Sequence, residues 1–110
     1  MVTTATELAE ALDDFAERLK KGIRLEALVL YGSYASGNAR EWSDIDVAVI
    51  SPDFDGVPMP KRQEMISGLT FDRVTRIEPL GYSSREYRNP GPHSFLGEII
   101  RTGRIVYEAP

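Results

Sequence analysis

Four residues carry groups that can do chemistry together at fixed spacing: Gly32, Ser33, Asp44 and Asp46, within the stretch YGSYASGNAREWSDIDVAVIS at 31–51. Side chains two apart on a strand project to the same side, so Asp44 and Asp46 present two carboxylates together while Ile45 and Val47 face the other way, into a core. Their α-carbons would lie roughly 6–7 Å apart, and two such anions repel unless a cation sits between them. Hard oxygen ligands at a strand mouth suit Mg²⁺ or Mn²⁺. Taken alone, the Asp-x-Asp also fits a Ser43-Asp44 turn leading into the strand, with Asp46 solvated on an exposed face.

Gly32 and Ser33 supply the second half of the chemistry. A glycine at the end of a strand removes the side chain that would block close approach, and the N–H groups after it, with the Ser33 hydroxyl, can cradle an anion such as phosphate. No Gly-Lys-Ser/Thr follows, so this is not a Walker-type loop, and a Tyr-Gly-Ser after a strand is also an ordinary tight turn. An anion cradle beside a divalent-metal pair is what phosphoryl or nucleotidyl transfer requires, with the metals neutralising a triphosphate and stabilising the departing pyrophosphate.

The elements that must position these groups follow from periodicity and caps. Thr4 and Glu7 form a capping box, and Leu8, Leu12, Phe15 and Leu19 fall on one helical stripe that Gly22 is expected to stop. LEALVLY at 25–31 and DIDVAVI at 44–50 read as strands, with a helical turn and loop between them. PDFDGVPMP at 52–60 reads as loop, and KRQEMISGL at 61–69 as a short helix on Met65, Ile66 and Leu69. A third strand is expected over 72–80, where Val74 alternates with polar neighbours and Pro79 marks its end or an edge position. HSFLGEIIRTG at 93–103 reads as a helix and RIVYE at 104–108 as a closing strand. This order predicts an α+β fold, an α/β sandwich in which a mixed sheet is covered by helices.

Composition narrows the function. The 110 residues are read as one domain, 1–110, too short for a second lobe to hold a large substrate. With 13 basic against 17 acidic residues and a formal charge of −4, direct binding to nucleic acid is not expected. The absence of cysteine excludes disulfides and thiolate metal sites. No apolar run approaches the roughly 18 residues of a membrane span, so no membrane partner and a cytoplasmic location are expected. Repeats and low-complexity tracts are absent.

The stretch resembles the signature of the DNA polymerase beta-type nucleotidyltransferase superfamily: Gly-Ser at 32–33, ten intervening residues, then Asp44-Ile45-Asp46. The small residues, Gly37 and the Ser43-Asp44 junction are similar to the minimal nucleotidyltransferases, and FLGEIIRTGRIVYE resembles their helix-glycine-strand ending. The resemblance implies a polymerase beta palm-like fold, phosphate binding by Gly32 and Ser33, and Mg²⁺ or Mn²⁺ held by Asp44 and Asp46. Arg40 would assist the triphosphate or remain a solvated loop cation. The family's third carboxylate is expected a few residues before Pro79-Leu80; Arg76 stands there, and Glu78, two residues on, is either its catalytic replacement or a surface acid paired with Arg76.

Small members of the superfamily resemble antitoxins whose partner is an all-helical HEPN-type ribonuclease toxin. The implied reaction is transfer of AMP from ATP to a tyrosine of that partner. The alternatives are a binding antitoxin that neutralises its partner by occlusion, motivated by Arg76, and transfer to a small molecule. His93 is read as a capping or surface residue. Tyr34 and Trp42 are read as packing the loop onto the domain rather than stacking on a base, and Tyr31 and Tyr107 as core-boundary residues.

Overall fold

The computed structural model describes residues 4–41, 43–71 and 76–110. The elements run α1 (Ala5–Leu19), β1 (Ala27–Tyr31), α2 (Ser33–Ser36), β2 (Ile45–Ser51), a 3₁₀ turn (Pro52–Phe54), α3 (Met59–Thr70), β3 (Ile77–Ser83), α4 (Ser84–Arg88), α5 (Phe95–Thr102) and β4 (Arg104–Glu108). They build one mixed four-stranded sheet of order β3-β2-β1-β4. β1 pairs antiparallel with both β2 and β4, and β2 pairs parallel with β3. The α+β architecture is the one expected.

The sheet has two unequal faces. On one, Leu28 and Leu30 of β1 and Ile45, Val47 and Val49 of β2 pack with Leu8, Leu12, Phe15 and Leu19 of α1 and Ile66 of α3. Each such fully buried aliphatic contributes about 1.5–3 kcal/mol. The opposite face is smaller, with Ala27, Val29, Ala48 and Ile50 under Ile99 of α5, flanked by Tyr31, Tyr82 and Tyr87. Asp46 belongs to this second face because strand parity separates it from Ile45 and Val47.

Local chemistry explains most element ends. The Thr4–Glu7 capping box forms as expected. α1 stops at Leu19 rather than at Gly22; a Cβ at Gly22 would push against the end of the Leu69 side chain. The segment read as loop contains the 3₁₀ turn, whose Phe54 is fully buried. A second capping box, Ser83 with Glu86, starts α4, which periodicity does not reveal in so short a helix.

β3 lies further along the chain than expected and runs through Pro79 to Ser83. The Val74 expectation falls on residues outside those described. Pro79 is tolerated because β3 is an edge strand. Its carbonyl points away from β2 and accepts from Gln63 Nε2 at 2.8 Å, so its missing N–H would also have faced outward. Gly81 N–H donates to Gln63 Oε1 at 3.1 Å, so one side-chain amide replaces part of an absent fifth strand.

Arg62 completes this seal. Its guanidinium is buried and donates to the carbonyls of Val57 at 2.7 Å and Gly81 at 3.2 Å, and to Glu86 Oε1 at 2.7 Å. Burial raises the Glu86 carboxyl, but the bonds from Arg62 and Ser83 outweigh it and hold the group below its ordinary 4.5. A depressed carboxylate stabilises the fold above its unfolded-state value and loses that contribution as pH falls through the folded value. Glu86→Gln keeps the capping geometry and removes the charge. It is expected to cost at most about 2 kcal/mol at pH 7, because the Glu86 side chain is 44% exposed. Thermal unfolding followed from pH 7 to below 4.5 should show the two proteins converging; a constant gap would contradict the pairing.

Candidate functional site

The site forms where β1 ends and β2 begins. Antiparallel register sets Tyr31 opposite Asp46, so Gly32, the next residue, comes beside the Asp46 carboxylate. A Cβ at position 32 would overlap Asp46 Oδ2. Gly32 also has φ 75° and ψ −151°, a region that only glycine occupies without strain. The conformation therefore requires glycine, and a side chain there would in addition displace the Asp46 carboxylate.

α2 then begins at once. The Gly32 carbonyl accepts from the N–H groups of Ala35 and Ser36 at 3.1 Å each, which leaves the Ser33 N–H without a partner inside the turn. Gly37 closes the turn in the left-handed conformation, φ 80°. Tyr34 and Ala35 pack against the main core, which anchors the loop as expected for Tyr34. The turn delivering Asp44 is closed by Ser43, whose hydroxyl accepts from the Arg40 N–H at 2.8 Å and whose N–H donates to the Arg40 carbonyl at 3.0 Å. Arg40 itself is exposed on that turn.

Asp44 is exposed just ahead of β2, and Asp46 is half-buried within it. Burial, and then the neighbouring Asp44 charge, push the Asp46 carboxyl above its ordinary value. The two acids are thus close enough to repel. On β3, Glu78 pairs in register with Asp46. Paired residues of neighbouring strands share a face, so Glu78 joins Asp46 there. The Ile45 N–H bond to the Arg76 carbonyl, 2.8 Å, continues the ladder one step further and sets Arg76 level with Asp44.

Tyr31 belongs to the same face and lies closer to the acids than its reading as a core-boundary residue implies. Burial first, then the charges of Asp46, Tyr82 and Glu78, push its hydroxyl up to about 12. Tyr82 follows Glu78 by four residues on the same face; strand parity would have exposed it had the strand been extended past Pro79. His93 is exposed before the Ser94 cap, as expected, and Tyr107 is half-buried against the main core. Trp42 lies outside the described residues.

Among the described residues no three acids or histidines converge into a ready-made metal cage. Two carboxylates that repel each other beside an open glycine turn suit Mg²⁺ or Mn²⁺, which take one or two carboxylates and complete their shells with substrate phosphates and water.

Residues 8–85 match the family model described as Nucleotidyltransferase domain. The chain belongs to this family. Two relatives come from Methanocaldococcus jannaschii. "Putative protein adenylyltransferase MJ1305" is 40% identical over 92% of this chain and 72% of its own length. "Putative protein adenylyltransferase MJ0604" is 28% identical over 89% and 96%. Among solved structures, a "putative nucleotidyltransferase" from Sulfolobus solfataricus superposes with a TM-score of 0.69 at 15% identity, covering 91% of this chain and 79% of that one. A crystal structure of "the toxin-antitoxin with AMP-PNP" gives 0.56 at 19% identity, covering 92% and 73%. At these identities the two structures establish the fold.

Two stability measurements test the geometry of this family member. Gly37→Ala meets an open surface and should lose about 1–2 kcal/mol for its left-handed backbone. Gly32→Ala should lose more, and a double-mutant cycle with Asp46→Ala should recover the part due to overlap; strictly additive losses would separate Gly32 from Asp46. A carboxyl raised in the folded state costs stability above its unfolded-state value. Asp46→Asn should therefore melt higher than the parent at pH 7 in chelator, with added Mg²⁺ stabilising only the parent.

Proposed function

We propose that this protein is a metal-dependent nucleotidyltransferase that moves AMP from ATP onto a hydroxyl of a partner protein, a HEPN-type helical toxin, and so acts as an antitoxin. One observation carries the transferase reading: the Asp46 carboxylate lies over the side-chain-free Gly32 at the mouth of the Ser33 turn. Negative ligand groups and a metal-binding acid can meet only where no side chain intervenes. The names of the Methanocaldococcus relatives support adenylyl transfer to protein. The AMP-PNP of the toxin–antitoxin neighbour supports ATP and a toxin partner.

In this reading the Ser33 N–H and hydroxyl hold the terminal phosphates of the triphosphate. Asp44 and Asp46 would hold Mg²⁺ or Mn²⁺, which supplies charge neutralisation at the triphosphate and at the departing pyrophosphate. Glu78, level with Asp46 on the next strand, would accept the proton of the attacking hydroxyl. Arg40, exposed on the delivering turn, adds positive charge near the entry of the triphosphate.

The binding-antitoxin alternative rests on Arg76 at the position where an acid is expected. The register supports catalysis over it, because an acid, Glu78, stands directly beside Asp46. Incubation with labelled ATP, Mg²⁺ and the product of the adjacent gene should label that partner. Asp46→Ala should abolish labelling, and Glu78→Gln should slow it about 10²-fold or more while complex formation persists. Neutralisation of the partner without any label, equal in parent and variants, would establish the binding antitoxin instead; label on candidate small acceptors alone would establish the third reading.

A further inference from the structure

A pocket of about 250 Å³ opens between β3, α4 and α5, with Tyr82, Glu86, Asn89, Pro90, Phe95 and Leu96 in its wall. It lies further along the sheet face that carries Asp46 and Glu78. Tyr82 lies about 13 Å along β3 from Glu78 on the same face. Phe95 stands edge-on to Tyr31, ring centroids 5.7 Å apart, and Tyr31 is the register partner of Asp46. A continuous aromatic surface therefore runs from the acids into the pocket.

The proposed reaction leaves few directions for the nucleoside. Displacement at phosphorus puts the leaving pyrophosphate and the attacking hydroxyl on opposite sides. With the pyrophosphate over Gly32 and Ser33 and the hydroxyl beside Glu78, that line crosses the strands from β1 to β3. The nucleoside must depart at an angle to it, outward to solvent or along the strands. Along the strands it meets Phe95 and Tyr82.

The wall has the chemistry to hold a base. Phe95 is 56% exposed, a large apolar ring left in water at the start of α5. Bases of any sequence stack on such rings. The Asn89 side-chain amide makes no hydrogen bond among the described residues, and an Asn amide matches the N6 and N7 edge of adenine with one donor and one acceptor. Glu86 can only accept; two bonds from Arg62 and one from the Ser83 N–H leave it further acceptor capacity. Pro90 contributes no N–H. Glu86, which only accepts, favours an exocyclic amine on its side of the pocket over an exocyclic carbonyl.

We propose that this pocket is a nucleobase site selective for adenine, with Asn89 reading the edge of the base and Phe95 with Tyr82 supplying its stacking surface. The proposal rests on the transferase reading above, because it takes the direction of the nucleoside from the phosphate seat. Calorimetric titration in Mg²⁺ with ATP, GTP, UTP and inorganic tripolyphosphate tests it on the parent, Asn89→Ala and Phe95→Ala, with thermal unfolding to verify each fold. The parent should prefer ATP to GTP and UTP by about tenfold or more. Asn89→Ala should erase that preference. Phe95→Ala should weaken all three nucleotides about tenfold and leave tripolyphosphate unchanged. A parent without base preference, or folded variants that keep it at full strength, overturns the pocket while the transferase reading stands. A parent that binds neither ATP nor tripolyphosphate overturns the reading itself and the pocket with it.

Discussion

The contact on which the rest depends is between a carboxylate and a missing side chain. Asp46 fills the space that a Cβ on Gly32 would take, and the antiparallel register of β1 and β2 brings the two together. This arrangement is costly in three ways. Gly32 sits in a glycine-only conformation, the Asp46 carboxyl is half-buried, and Asp44 repels it. Such a cluster persists only where the surrounding structure determines it more strongly than it opposes it. Here Ile45 and Val47, the chain neighbours of Asp46, and Leu30, two residues before Gly32, are locked into the main core.

Stability and chemistry are divided between the two faces of the sheet. The face under α1 and α3 collects the large aliphatic side chains, whereas the other has small residues, Ala27 and Ala48, at its centre and tyrosines around them. That asymmetry leaves Asp46 and Glu78 accessible without weakening the core. The β3 edge is closed by side chains rather than by a strand: Gln63 replaces a backbone partner, and buried Arg62 ties the edge to Glu86. At the other edge, β4 carries a bulge between its pairings with Leu28 and Val29, which disfavours further strand addition. The sheet can therefore keep an open functional face without presenting two open edges.

What was legible in the sequence was local. The α1 capping box, the apolar stripe of that helix, the two central strands and the closing helix and strand each follow from residues within a few positions of one another. So does the juxtaposition of Gly32 with Asp46, because a short connection between two strands favours antiparallel neighbours. The rest depended on contacts distant in sequence. Pro79 reads as a strand end or an edge position, and the edge position is the one observed, with the strand continuing because the proline nitrogen faces outward. The helix between β2 and β3 signals a parallel pair but not its register, and without the register Glu78 and Tyr82 cannot be set on the face of Asp46. α4 is too short for periodicity, although its capping box was present to be read. The aromatic pocket exists only once α4 and α5 close over β3.

The same non-local register decides how to read the departure at position 76. Strand parity puts Arg76 and Glu78 on one side, so parity cannot choose between them as the group next to Asp44 and Asp46. Pairing can. Arg76 falls level with Asp44, at the exposed entrance, and Glu78 level with Asp46, the half-buried acid. A base for a hydroxyl must lie beside the innermost acid, where the reacting phosphorus would be held, whereas a cation is better placed at the entrance, where a polyanion arrives. Arg76 and Glu78 are thus complementary in position. An acid moved two residues inward, with a cation taking its former place, is compatible with a working transferase and does not by itself describe a degenerate one.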